Sequence, residues 1–548
     1  MNKKFWLIFL IFGMAGLLFV IDRGSGVGEL AVSAGVVPHH LLAEDMIEEF
    51  FDELAERSDP EQIIVLSPDH FGVGSMVGDG FVTLGEETEL FHGLRTDRDL
   101  IGELAAEHRL IFSDQAVEFD HGISDLMPYI ADRFPESRIV PFLVPLGRSQ
   151  EEMIALASSL DEFAGDRAVV VASVDFSHYL TPSAADFHDV KSLRVLLRLE
   201  EDKFSGLEVD SWQSLLAARW FAGLRGKEYP EVLRQANSAD YLPPEVLRDT
   251  TSYLTVLFTE GDSGKVLNSK EYNVSTALFA GLIDFPHLSS EPVRRRQTYP
   301  LERVSQLLRG VDTVIGSGVI SVEGSFGGTQ EGFYRDIGKL LNWSYFDRVI
   351  LKGDDRELKT SIGSLETGNV EFWGITKTEP IVLVNESSPD VFGVLALSDP
   401  DKMTSKIKDR IADRPDLFRV AIIYEELDER PNEVTVEAAR NLIEAGIDVV
   451  IRQGPESELR VESYKDGLIF SHLGYFLPVN KGANSWALGL ELYRDKARWR
   501  LFPITEKKNR SELVIDHKDR KQLLAEVAQR SSGQLRQDVL NGIIELYY

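Results

Sequence analysis

The sequence predicts an α/β protein of two domains, each a mostly parallel or mixed sheet with flanking helices, preceded by an N-terminal membrane segment. Three observations carry this. At 548 residues the chain exceeds what one hydrophobic core normally organises. Short β-branched runs alternate with amphipathic stretches from residue 28 to about 265, and again from about 270, which is the rhythm of strands and crossover helices. Phe5–Ile21 is a run of 17 residues without a charge. The expected divisions are 1–24, 25–265 and 270–548, with Gly261–Lys265 (GDSGK) as a linker that lacks the spacing of a phosphate-binding loop.

Composition narrows the partners. A net charge of −31 argues against nucleic-acid binding and against docking of the folded body on anionic lipid. Cysteine is absent, so disulfides, zinc ribbons and thiol nucleophiles are excluded and any metal must use His, Asp, Glu or water. The Lys3-Lys4 n-region, the apolar run and the closing Asp22-Arg23 point to a single-pass anchor with the body outside the cytoplasm. The alternative is a cleaved signal peptide and a secreted protein.

The first domain follows in order. Glu29–His40 is a strand ending in Pro38, His39 and His40. Leu42–Arg57 is an acidic amphipathic helix. Ile63–Gly72 is a strand ending in Asp69 and His70, and Leu100–Glu107 is a helix. Glu118–Arg133 is helical after Asp120-His121. Arg138–Leu146 is a buried strand, and Glu151–Phe163 is a helix. It leads into Val169–Leu180 (VVVASVDFSHYL), a strand that breaks at Asp175, Ser177 and His178. Lys191–Leu199 and Ser211–Leu224 are further helices.

Of 11 histidines, eight lie between His39 and His188. Three hydrophobic strands each end in histidine, and open α/β sheets gather such ends into one cleft. Imidazoles and carboxylates together suit one divalent transition metal, iron or alternatively copper or zinc. A two-His-one-carboxylate set with open positions is the non-haem iron pattern. Asp175, three residues before His178, is placed to orient an imidazole or to act as a base.

Four ordered motifs carry a resemblance: Val37-Pro38-His39, Ser67-Pro68-Asp69-His70, Asp120–Tyr129 (DHGISDLMPY) and Ser173–Tyr179 (SVDFSHY). This order resembles the Memo family, called AmmeMemoRadiSam system protein B in bacteria and archaea, whose fold is similar to class III extradiol dioxygenases (LigB-like). The resemblance implies His39 and His70 as metal ligands, and His178, Asp175 and His121 as the catalytic or orienting set. It also departs from the pattern. The family's PHAG motif reads Pro38-His39-His40-Leu41 here, so bulky side chains stand where small ones are usual, and its EHSIE motif reads Asp120–Ser124 (DHGIS), without the second acid. No cysteine matches the ligand that some members supply late in the domain. Asp240, in Arg234–Asp240 (RQANSAD), is the candidate that would restore a carboxylate ligand.

In the second domain, strands are expected at Thr276–Ile283, Thr313–Val322, Val391–Leu397, Val420–Tyr424 and Ile447–Ile451. Helices are expected at Leu301–Leu308, Met403–Ala412 and Glu433–Ala445, and a helix pair in Lys518–Leu546. The tail Ala438–Ile451 followed by Glu462–Phe476 resembles the CapA (poly-γ-glutamate and capsule synthesis) family, which has a metallophosphoesterase-like fold. Its metal-binding motifs are replaced here by Gly281-Leu282, Ser317-Gly318-Val319, Tyr424–Asp428 and Arg452–Glu456. Two metals about 4 Å apart need several His and Asp ligands. The second domain is therefore expected to be a pseudoenzyme, and the acidic cluster at Glu425, Glu426, Asp428 and Glu429 a solvated turn.

The functional expectation is an anchored metalloenzyme, dioxygenase-like or otherwise metal-dependent, acting on an unknown small molecule. The alternative is a non-catalytic envelope scaffold binding a glycan or polymer. A companion role beside radical-SAM proteins, implied by the family's system name, conflicts with an outside location.

Overall fold

The computed structural model describes residues 30–85, 92–261, 269–270, 272–285, 298–320, 330–353, 355–366, 368–375, 381–384, 392–397, 417–424, 433–454, 458–477 and 484–548. The expected anchor at 1–24, His287, the helix at 403–412, most of the 261–265 linker and the acidic cluster at 425–429 lie outside these residues. Among the described residues, no helix is long and apolar enough to cross a membrane.

The first domain is a nine-stranded sheet: β1 (Val32–Val37), β2 (Gln62–Pro68), β3 (Phe81–Thr83), β4 (Arg95–Thr96), β5 (Leu110–Phe112), β6 (Arg138–Val144), β7 (Ala168–Ser173), β8 (Tyr229–Asn237) and β9 (Ser252–Thr259). The spatial order is β5-β3-β6-β2-β7-β1-β9-β8, with β4 beside β6. The centre, β6-β2-β7-β1, is parallel, whereas β9 and β8 close one edge as antiparallel strands.

Both faces of this centre are buried, which is why its strands read as continuous apolar runs. Ile64, Leu66, Val170 and Ala172 face one layer, packed on α3 (Gln150–Phe163) and α5 (Trp212–Leu224). Ile63, Val65, Val169 and Val171 face the other layer, with Phe50 and Phe51 of α1 (Glu44–Arg57). Between them in sequence are α2 (His121–Ser124) and α4 (Pro182–Arg198). Helix α4 starts earlier than the expected Lys191, because Thr181 accepts the Ala184 amide as N-cap and Pro182 fits the first turn.

The second domain contains two sheets. One has eight strands: β10 (Ser275–Asp284), β11 (Thr313–Val319), β12 (Arg348–Lys352), β13 (Glu371–Ile375), β20 (Asn484–Leu492), β21 (Lys496–Glu506), β22 (Ser511–Leu513) and β23 (Ile543–Tyr547). The other has six: β14 (Ile381–Val384), β15 (Phe392–Leu397), β16 (Phe418–Tyr424), β17 (Val449–Gln453), β18 (Arg460–Tyr464) and β19 (Gly467–Ser471). Phe279 and Trp499 of the first sheet share a core with Val420, Ile451 and Phe470 of the second, so the sheets pack face to face. Helices cover the outer faces: α6 (Gln330–Trp343) and α7 (Asp355–Leu365) on one side, α8 (Glu433–Glu444) on the other.

The C-terminal expectation needs correcting. Lys518–Leu546 is not a helix pair alone. Helix α9 (His517–Arg530) and a short turn of helix (Arg536–Asn541) end at Gly542, whose φ of 72° suits glycine. Ile543–Tyr547 then forms β23, antiparallel to β21, with Ile544 fully buried. The long antiparallel pair β20–β21 is absent from the sequence expectations. The strand at 313–322 ends at Val319, and only Ser305–Arg309 of the helix expected over 301–308 is helical.

Candidate metal centre

The three strands whose ends carry histidine are side by side in the order β2-β7-β1. Register then fixes the site. Val37 of β1 lies beside Ser173 of β7, so His39 and Asp175, each two residues further on, emerge level. Leu66 of β2 lies beside Ala172, which brings His70 to the same edge. Helix α2 supplies His121. The imidazole centroids of His39 and His70 are 5.0 Å apart, those of His39 and His121 5.1 Å, and those of His70 and His121 3.9 Å.

Two ligand groups meet at His39, namely His39-His70-His121 and His39-Asp175-Asp210. The Nε2 atom of His39 is 3.5 Å from one carboxylate oxygen of Asp175 and 3.5 Å from one of Asp210. Asp210 was not anticipated. It precedes Ser211, the N-cap of α5, and the Phe176–Val209 bridge draws it under the Asp175 turn. Its backbone amide donates to the Asp175 carbonyl, and one carboxylate oxygen accepts the Asp175 amide at 3.0 Å. The acid before a helix N-cap was the available signal, but a capping neighbourhood is a common place for aspartate.

Hydrogen bonding fixes the tautomers. Ser173 Oγ donates to the Gly122 carbonyl at 2.5 Å, so its remaining capacity is to accept from His39 Nδ1 at 3.2 Å. Buried Asp120 accepts from His70 Nδ1 at 2.7 Å and from the amides of His70 and Gly122. With a proton on each Nδ1, the neutral forms of His39 and His70 carry their lone pairs on Nε2. This is the form in which imidazole ligates metals, and a carboxylate behind the ring is its usual support.

Electrostatics agree. Burial, then the neighbouring His70 and His121, holds His39 well below its ordinary pKa. Burial, then His70, lowers His121, and burial lowers His178 against the opposing pull of Asp175. Burial raises Asp175, with His178 pulling the other way, and burial followed by the Asp175 charge raises Asp210 well above the carboxylate range. Neutral imidazoles and carboxyls reluctant to ionise next to each other define a space that a cation relieves. The second oxygen of Asp210 is buried and lacks a hydrogen-bond partner, which also fits a ligand atom.

The remaining sequence candidates fall as follows. His178 is partly buried and close enough to Asp175, His39 and His70 to interact electrically with each. Asp240 is exposed and belongs to neither ligand group. Its carboxylate accepts the Asn237 amide at 2.8 Å, completing a capping box for residues 238–241. The carboxylates beside His39 are those of Asp175 and Asp210. His40, standing where the family resemblance leads one to expect a small residue, pairs its Nδ1 with the Tyr253 hydroxyl at 2.6 Å.

Comparison with known proteins locates the likeness. Residues 30–211 match the family model described as Memo-like protein. A MEMO1 family protein of Caldivirga maquilingensis is 25% identical over 235 residues, covering 41% of this chain and 82% of the relative. Another from Pyrobaculum aerophilum is 26% identical, covering 30% and 60%, and one from Nitrosopumilus maritimus is 31% identical, covering 26% and 53%. Among solved structures, an uncharacterized protein of Escherichia coli K12 is similar at 14% identity and a TM-score of 0.29, covering 41% of this chain and 99% of its own. Vps29 of Chaetomium thermophilum follows at 10% identity and a TM-score of 0.22, covering 44% and 95%. The N-terminal region of this chain, residues 30–211, is thus Memo-like.

Proposed function

We propose that the first domain is a mononuclear transition-metal enzyme centre, with His39 and His70 as imidazole ligands and Asp210, beside Asp175, as the carboxylate that Asp240 does not supply. The observation that carries this reading is the pair of fixed tautomers. Ser173 and Asp120 hold both Nδ1 protons, leaving both Nε2 lone pairs directed away from those supports. The donor set, neutral nitrogen plus carboxylate, suits iron, with copper or zinc as alternatives. Such an ion, when bound, supplies Lewis acidity or redox chemistry at an open position. Asp175 and His178 then serve to hold or move a proton next to the bound substrate, and His121 lines the same edge.

The rim suggests the ligand class. Leu41, Phe71, Phe119 and Tyr179 are each about half exposed or more, and each flanks one of the cleft motifs. A small molecule with an apolar or ring face fits such a mouth better than a highly charged one. The chain's net charge of −31 supports the same exclusion of polyanions. A non-catalytic role, holding a glycan or envelope polymer against this rim, is the second reading. The apolar run Phe5–Ile21 supports placing the protein at the membrane with its body extracytoplasmic. The second domain is read as a CapA-like fold whose catalytic motifs are lost.

Metal content tests the centre. The full chain, purified without chelator under anaerobic and aerobic conditions, should carry about one iron, copper or zinc per molecule by mass spectrometry. His39→Ala/His70→Ala should carry none. A wild-type protein that takes up no metal on reconstitution would exclude the enzyme and leave the binding role.

A further inference from the structure

Helix α4 is buried on more than one face. Ala184, Phe187, His188, Asp189, Lys191, Arg194 and Leu197 are all at least nine-tenths buried, although four of these are ionisable. A helix covering one sheet should show one apolar stripe and one wet face. Part of the polar face of α4 is instead satisfied by the second domain. Arg194 makes a bidentate pair with Asp312, both bonds 2.7 Å, and Lys191 donates to the Val311 carbonyl at 2.8 Å. Phe187 packs on Phe502, ring centroids 5.6 Å apart.

The same helix grips the turn that carries Asp175 and His178. His188 lies between the two domains. Its Nε2 is 3.0 Å from the Leu307 carbonyl, which can only accept, so Nε2 carries the proton. Nδ1 is therefore a lone pair, and it can accept from the Ser177 hydroxyl at 3.5 Å. One residue on, Asp189 accepts from Ser252 Oγ at 2.8 Å. The Ser252 backbone pairs with Phe176 and Ser177 at 2.9 and 3.0 Å.

We infer that the second domain positions the Asp175–His178 turn of the first, with His188 as the positioning residue that relays the Leu307 carbonyl to Ser177. This rests on the metal-centre reading only for its functional consequence. The second domain is then a buttress whose loss of catalytic motifs costs nothing for this role.

Gly310 gives a test from the far side. A Cβ there would meet the His188 ring at 2.3 Å, while its backbone φ of −76° suits alanine. Gly310→Ala therefore presses on His188 from the second domain without touching a metal ligand. In the full-length protein, Gly310→Ala and His188→Asn should each weaken Co(II) binding about 10-fold or more and shift its visible spectrum. Each should also speed hydrogen exchange in the peptide spanning 174–180. Adding Gly310→Ala to His188→Ala should change neither readout further, because the ring it strikes is gone. Unchanged exchange and an unchanged Co(II) spectrum in folded Gly310→Ala overturn the inference. If that variant does not fold, His188→Asn decides by the same two readouts. If the wild type takes no Co(II), the metal reading falls, and the exchange rates alone decide whether the second domain positions the turn.

Discussion

The two domains place polar groups at the ends of parallel strands in the same way and arrive at opposite chemistry. In the first, β1, β7 and β2 deliver His39, Asp175 and His70 to one edge, where His39 belongs to both candidate ligand groups. In the second, β16 and β17 end in Tyr424, Arg452 and Gln453, each tied to a group on another strand. Tyr424 donates to the Ile350 carbonyl at 3.0 Å, Arg452 to Ser471 Oγ at 3.0 Å and Gln453 to the Ala280 carbonyl at 3.1 Å. Burial, then the charges of Arg452 and Arg460, pushes His472 down to about 4, so it is neutral beside a fixed cation. Among the described residues, both groups able to hold a metal lie in the first domain. A sheet edge is thus only a place. Converging lone pairs make it a cation site, whereas a buried guanidinium occupies the same position with a charge of its own.

The sharpest break of this comparison is Asp210→Asn. It keeps the shape but removes a ligand charge, and it should weaken Co(II) binding by about two orders of magnitude or more in a spectroscopic titration. Retained affinity would remove Asp210 from the centre. Asp240→Ala is its counterpart. Calorimetry should show a loss of about 1 kcal/mol of stability from the broken capping box, with Co(II) affinity unchanged.

Arg452→Met probes the other edge. It should lower stability by about 2–3 kcal/mol in denaturant melts, because buried hydrogen-bonded groups lose their donor, and leave metal content as in the wild type. A gain of metal in that variant would show that the guanidinium had been masking a latent site.

A last test concerns pH. Burial, opposed by Arg309, raises Glu208 from 4.5 to about 7. A carboxyl raised in the fold stabilises most below 4.5, and that contribution is lost as pH rises towards and through about 7. Glu208→Gln should flatten this decline, by up to about 3 kcal/mol at pH 8. Thermal melts from pH 4 to pH 8 measure it, and parallel curves for the two proteins would reject the assignment.

Much of the first domain was legible because parallel strands buried on both faces leave an unmistakable trace. Val169–Ala172 and Ile63–Leu66 are apolar throughout, and the break to Asp175 and to Asp69-His70 marks the sheet edge. His39, His70 and Asp175 could be picked for the same reason, and His121 through its place in the family-like motif Asp120–Ser124. Asp210 could not, because its partner Asp175 is 35 residues away and the bond between them crosses a loop. Asp240 looked plausible from its position in a family-like motif, but its own local capping box claims its carboxylate.

The amino-acid sequence by itself determined the alternation of strands and helices, the absence of thiol chemistry, the acidic surface and the histidines available for a cleft. Hydrophobic periodicity and composition are local properties, so they survive without a fold. Only the tertiary structure decided that β2, β7 and β1 are neighbours, that the Asp210 carboxylate lies beside His39 and Asp175, that Ser173 and Asp120 set the imidazole tautomers, and that α4 is buried between two domains. Each of these depends on register and on groups far apart in the chain, which a one-dimensional pattern does not encode.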